Sequence, residues 1–303
     1  MPELGLRDAP PGEDAGRERR ALAAALAAVA LWSTVATGFK LGLEVLEPVQ
    51  LLFAGCLVST CVFAVRACMS PVWRTARPSL AAAALFGVAN PFVYYLVLFE
   101  AYDRLPAQIA QPLNYTWAIT LALLAVPVLG QRLARRTLIG ILVSYAGVVV
   151  LLSRGRITAL PEIDWLGVTL ALASTIVWAG YWLAQARSRS DPAALMALSF
   201  ATVLPLIGLA CWAGPGLPPL TWRTALFGGW IGLVEMGVTF LVWQRALALT
   251  RSAARIGQLI FLSPFISLVL IWAVLGETIH PATIAGLAII VAGLAVAGRP
   301  GAA

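Results

Sequence analysis

Charge is scarce in this chain. Asp, Glu, Lys and Arg make up 12% of its 303 residues, and a single lysine, Lys40, stands among the 21 basic residues, where a soluble domain carries about 25% charged residues. Such a chain has too few charged side chains for a water-facing surface, which excludes an ordinary soluble globular protein. Histidine is scarcer still: His280 is the only one, and without a neighbouring Cys, Asp or second His it builds no metal site. No nucleophile elbow, phosphate-cradling Gly-rich loop or HExxH motif occurs, so the common catalytic chemistries have no place; the expectation is a non-enzyme without cofactor or metal. Three of the four cysteines, Cys56, Cys61 and Cys68, share one apolar run and Cys211 lies on another. They lack the paired spacing of a disulfide framework and read as small core residues.

What the chain has in abundance is hydrophobic surface, 60% of its residues, with a mean hydropathy of +0.88. It reads as an all-α membrane protein. A span needs about 20 mostly apolar residues to cross a hydrocarbon core roughly 30 Å thick. Ten such runs are present, at about 21–43, 48–68, 79–101, 106–129, 136–153, 165–187, 193–213, 222–245, 253–275 and 281–298. Pro48, Pro106, Pro192 and Pro281 stand at the first turns of four of them, where proline is tolerated. Residues 1–19, rich in Pro, Gly and acid, are expected to be a disordered tail. The net charge of +7 points to no nucleic acid, because the arginines lie between apolar runs, where they orient helices. Counted by side, 16 basic residues fall on the side of the N-terminus and five (Lys40, Arg104, Arg154, Arg156, Arg223) on the other. The positive-inside rule then places both termini in the cytoplasm, with ten crossings.

The fourth quarter of the chain repeats the second. Val128-Leu129-Gly130-Gln131 returns 146 residues later as Val274-Leu275-Gly276-Glu277, and the same offset pairs Thr137 with Thr283, Gly140 with Gly286 and Gly147 with Gly293. The chain therefore divides into a tail (1–19), a first five-helix repeat (20–153), a periplasmic linker (154–164), a second repeat (165–299) and a short end (300–303). Five spans per copy is an odd number, so the second copy crosses in the opposite sense; inverted repeats of this kind mark transporters. Glycines seven apart lie on one helix face, which makes spans five and ten packing helices, at a pseudo-symmetric or a dimer interface.

Polar and aromatic residues gather at mid-membrane on spans one, three, four, six, eight and nine. Span three carries Asn90-Pro91 and Tyr94, either a broken helix facing a cavity or a kink satisfied by a neighbour. Span four holds Gln108, Gln111-Pro112 and Asn114-Tyr115-x-Trp117, too many hydrogen-bonding groups to face lipid. Gln258 and Ser263-Pro264 of span nine are read as its counterpart, so each half has a proline-interrupted helix, a pointer to a transport site. Trp32, Trp178 and Tyr181 add an aromatic wall suited to a flat apolar ligand, although aromatic side chains also fill bundle cores. Glu235 is the single carboxylate near the bilayer centre. Three roles are open to it: counter-ion to a substrate amine, proton carrier, or protonated structural hydrogen bonder. Glu100, Arg245 and Arg255 lie near span ends and read as topological.

Ten spans in two sets of five, with Gly-Glu at the entrance to span ten and its Gly-Gln echo at span five, resemble the drug/metabolite transporter superfamily in its EamA-type branch, over residues 20–298. Asn114-Tyr115-x-Trp117 is similar to a fourth-helix motif of the bacterial aromatic amino-acid exporters, although Ala118 and Gln131 depart from the pattern. The resemblance implies export of amino acids, aromatic and apolar ones with threonine and methionine, across the bacterial inner membrane by a monomer or homodimer. It implies alternating access, with Pro91, Pro112 and Pro264 as flex points. Another small metabolite or a cationic drug is the alternative cargo, and an intramembrane enzyme or inert scaffold the remaining one.

Overall fold

The computed structural model of the protein describes residues 11–69, 78–130, 135–153, 163–188, 190–250 and 256–297. Among these residues the chain is all helical. Nine helices are long and apolar enough to cross a membrane: α1 (Gly16–Leu43), α2 (Pro48–Cys68), α3 (Leu80–Arg104), α4 (Ala107–Val128), α5 (Arg135–Ser153), α6 (Trp165–Gln185), α7 (Ala194–Ala213), α8 (Trp222–Leu249) and α9 (Gln258–Leu275). The tenth expected span, α10 (Pro281–Ala297), is apolar but shorter, at 17 residues.

The first helix departs from its hydropathy run. Helical structure begins at Pro11, so residues 11–19 of the expected tail are helical. Arg17 donates to the Leu249 carbonyl (3.1 Å) and Thr250 donates to Glu18 (3.1 Å), docking these turns on the end of α8. Polar side chains here replace apolar ones as the helix's anchor, which hydropathy does not register.

Helix stops explain the strongest echo in the sequence. Gly130 and Gly276 close α4 and α9 in the left-handed region, at φ 66° and 67°. A side chain there costs about 1–2 kcal/mol, so glycine is the residue that fits. The acid after the second glycine reaches the other half of the molecule: Glu277 accepts from the backbone N–H groups of Ala107 (2.8 Å) and Gln108 (3.3 Å), the free donors at the start of α4. Gln108 completes the seam by donating to the Thr278 carbonyl (3.0 Å) and accepting from Thr283 (3.1 Å). Gln131, its counterpart in the first repeat, lies outside the described residues.

The glycines of α5 and α10 face each other within one chain. An added Cβ on Gly140 would stand 2.5 Å from the Gly293 carbonyl oxygen, and one on Gly147 would stand 2.7 Å from that of Gly286. Residue order rises along one helix as it falls along the other, so α5 and α10 cross antiparallel. Ser144 locks the crossing by donating to the Ile290 carbonyl at 3.0 Å.

Candidate functional site

Four helices are locally irregular where the polar residues collect. In α3 the helix kinks within Val88–Val93, where Asn90 leaves helical geometry altogether (φ −147°, ψ 118°) ahead of Pro91. In α8 a π-helical stretch, Ile231–Val238, surrounds Glu235. The two segments fall at almost the same position in their repeats, and π-helical turns such as that of α8 recur at functional sites. Helix α4 is interrupted at Thr116, whose hydroxyl donates back to Leu113 (2.7 Å), one turn after Pro112. Helix α9 opens with a 3-10 turn, Gln258–Leu262, and Pro264 sits in the first turn of the α-helix that follows.

These irregularities border a cavity of about 380 Å³. Helix α1 lines it with Trp32, Val35, Ala36 and Phe39; α3 with Tyr94, Leu98 and Tyr102; α4 with Gln111, Asn114, Tyr115 and Trp117. From the second half come Trp178 and Trp182 of α6, Glu235, Phe240, Trp243 and Leu247 of α8, then Gly257 and Ile260. Eight of the expected residues therefore meet: Trp32, Tyr94, Gln111, Asn114, Tyr115, Trp117, Trp178 and Glu235. Four do not line the cavity. Asn90 is buried beside Tyr181, which stacks on the outer side of Trp178 at 6.0 Å. Ser263 is buried behind the wall, accepting a hydrogen bond from Ser33 and touching Tyr115. Gln258 is exposed; it is one residue out of register, and Gly257, 146 residues after Gln111, takes the lining position instead.

Phe39, Leu98, Tyr102, Trp182, Phe240, Trp243 and Leu247 were not anticipated, although periodicity points to them. Trp32-Val35-Ala36-Phe39 follows the i, i+3, i+4, i+7 stripe of one helix face, and Tyr94-Leu98-Tyr102 continues α3 by fours. Repeat symmetry supplies a second signal. Trp32 and Trp178, Ala36 and Trp182, Tyr94 and Phe240, Gln111 and Gly257, Asn114 and Ile260 are five pairs of lining residues, each 146 apart. Their ring contacts obey the same rule: Trp32 meets Phe240 edge-on at 5.6 Å, and Trp178 stacks on Tyr94 at 4.4 Å. The chemistry of the pairs differs, with amides in the first repeat facing glycine and isoleucine in the second.

Among the described residues Glu235 is the one acid in the lining, and no Lys, Arg or His accompanies it there. Tyr95 donates to its Oε1 (3.1 Å) and the Trp32 indole lies within hydrogen-bonding reach. Beside it Asn114 donates to Ser174 (3.1 Å) and to Tyr94 (3.4 Å). The arrangement is a carboxylate held by neutral donors inside an aromatic box, a geometry that receives a cation.

The two ends of the cavity differ. Phe39, Leu98 and Tyr102 are almost fully buried, and the helix ends beyond them are tied together. Lys40 donates to the Tyr102 (2.8 Å) and Leu105 (3.2 Å) carbonyls, while Arg104 lies 3.6 Å from Asp164. Asp164 also caps α6 by accepting from Gly167 N–H (2.9 Å). That hydrogen bond, seconded by Arg104, holds its carboxyl below the ordinary value of 3.8. At the opposite end Trp243, Leu247, Gly257 and Ile260 are partly exposed. The cavity therefore opens toward the end where α8 finishes, the end at which Arg17 docks.

No curated protein matches the chain significantly. A solved crystal structure, titled only as that of a protein, shares the fold at a TM-score of 0.64 and 24% sequence identity, over 91% of this chain and 96% of the other. The description of the EamA-like transporter family fits twice, over residues 19–153 and 165–299. Two copies of one five-helix plan around a shared cavity thus have a family counterpart, and the chain belongs to the EamA-like transporters, multi-pass membrane proteins of the drug/metabolite transporter superfamily.

Proposed function

We propose that this protein exports small apolar and aromatic amino acids from the cytoplasm of a bacterium across its inner membrane, by alternating access of two inverted five-helix repeats with both termini inside. The observation that carries the reading is the Glu235 carboxyl in an aromatic box of about 380 Å³ that has no basic side chain among the described residues, a volume within the range of small-molecule sites. The cargo's ammonium pairs with Glu235, its side chain stacks on Trp32, Trp178 and Trp182, and its carboxylate meets neutral donors such as the Tyr115 hydroxyl. The antiparallel pairing of Gly140 with Gly293 and Gly147 with Gly286 supports the inverted arrangement, since the two helices are repeat equivalents. With the termini inside, the partly exposed end of the cavity faces the cytoplasm, the side from which an exporter loads. On this reading the protein is a carrier and not an enzyme.

One observation favours a second cargo class. The described lining residues include no basic group to pair with a carboxylate, which suits an organic cation such as phenethylamine or a cationic drug. Proteoliposome counterflow separates the two: uptake of labelled phenylalanine, tryptophan, methionine or threonine is expected, and its absence for all four rejects the amino-acid reading. Glu235→Gln is expected to cut counterflow at least tenfold. A variant that matches wild type with and without an imposed pH gradient removes both the counter-ion and the proton-carrier roles.

A further inference from the structure

Two more crevices flank the central cavity, and they are repeats of each other. One, of about 440 Å³, lies between α3, α4 and α6; the other, of about 230 Å³, lies between α1, α8 and α9. Six lining positions of the first map onto six of the second by the 146-residue offset, among them Ala184 on Gly38, Val128 on Val274 and Arg187 on Leu41. The fold therefore makes this crevice twice, once toward each end of the bundle, and the side chains make the two copies different.

The smaller copy is narrowed by its own chain. Trp230 lies over Gly38, its ring 2.9 Å from where a Cβ would stand. In the larger copy the position 146 residues before Trp230 is Ala84, which has no ring to lay there, and nothing lies within 4 Å of a Cβ at Gly180. Ala184 and Arg187 at its rim are exposed. Arg187 has one N–H on the Val128 carbonyl, and a guanidinium carries five donors in all. Ser188 adds a hydroxyl at the same rim, and Arg135 and Arg136 open α5 at this end of the bundle. An apolar crevice at membrane depth offers its walls contacts that only a chain-like guest provides, and an arginine at its interfacial rim selects phosphate.

We propose that the crevice between α3, α4 and α6 is a binding site for an anionic phospholipid, one acyl chain lying over Gly180 and the headgroup phosphate on Arg187. Its twin, with Leu41 in the arginine's place and Trp230 in the chain's, has neither feature and holds no such lipid. The site is independent of the cargo, and it would couple transport to membrane composition because α6 carries both Arg187 and the cavity residues Trp178 and Trp182.

Native mass spectrometry of the full-length protein in detergent, titrated with phosphatidylglycerol or phosphatidylcholine of identical chains, tests this. Wild type is expected to retain phosphatidylglycerol about fivefold more strongly, the worth of one basic residue at a membrane surface. Arg187→Gln is expected to erase the preference while still binding lipid, and Gly180→Leu, which occupies the crevice, to reduce retention of both lipids. Equal retention of the two lipids by wild type overturns the proposal without recourse to any variant. So does a preference that survives Arg187→Gln, or displacement of phosphatidylglycerol by millimolar inorganic phosphate, which would make this a free-phosphate site.

Discussion

Glu277 shows how one side chain can be read correctly as a motif and still withhold its purpose. In the sequence it is half of a Gly-Glu pair; in the fold it caps α4 in the opposite repeat, satisfying two of the helix's free N–H donors. Removing such a cap costs about 1 kcal/mol. Glu277→Ala is therefore expected to lower the melting temperature in detergent by about 2 °C, and Glu277→Gln, which keeps one acceptor, by less; a scan of the three proteins checks the order. Asp164 makes a different test, by pH. Its carboxyl is held below 3.8 by the Gly167 N–H and by Arg104, so its contribution is fully present above the unfolded value and is lost as pH falls through the lowered one. Wild type should lose melting temperature between about pH 5 and pH 3 more steeply than Asp164→Asn, which keeps a capping oxygen but does not titrate there. Parallel curves would show that the charge does nothing.

Among the elements, α5 and α10 are fixed by backbone approach and not by side-chain size. A Cβ added at Gly293 would stand 2.3 Å from the Ser144 hydroxyl and 2.5 Å from the Gly140 carbonyl, and both belong to groups that cannot retreat without separating the helices. Gly293→Ala is expected to cost about 1–3 kcal/mol through overpacking. Gly229, inside α8 with nothing within 4 Å of its Cβ position, is the control: Gly229→Ala should be neutral or stabilising by up to about 1 kcal/mol. Thermal unfolding of the pair in one detergent decides, and equal melting temperatures would mean that the crossing tolerates separation. The glycine spacing announced this crossing because a seven-residue period is visible in sequence. The π-helical stretch around Glu235 was not visible: it contains no proline, and its Gly232 serves a contact with α2, where a Cβ would stand 2.5 Å from the Gly55 carbonyl. A local widening set by tertiary packing leaves no local sequence mark.

For the molecule as a whole, hydropathy and the 146-residue echo were enough to place the helices and to bring eight of the twelve expected side chains to one cavity. The misses have physical causes. Gln258 was matched to span four by residue type, whereas the fold matches by register and gives the place to Gly257; Asn90 sits beside Tyr181 and Ser263 bonds Ser33, both behind the wall. Phe240 and Trp243 are not marked out because nothing in a sequence says which side of an aromatic stripe meets a void. Orientation depends on the shortest of the ten helices. Helix α10, 17 residues long, spans about 25 Å at 1.5 Å per residue, slightly less than a typical hydrocarbon core. A crossing by α10 would need a locally thin bilayer. If α10 crosses, the count is even and the 16-to-5 split of basic residues puts the C-terminus with the N-terminus in the cytoplasm. Fusions at residue 303 are then expected to give a fluorescent green fluorescent protein and an inactive alkaline phosphatase, with the reverse for phosphatase inserted between residues 154 and 164. Active phosphatase at residue 303 would leave α10 lying along the interface. The two halves would then not be full inverted counterparts, and alternating access by their exchange would have to be abandoned.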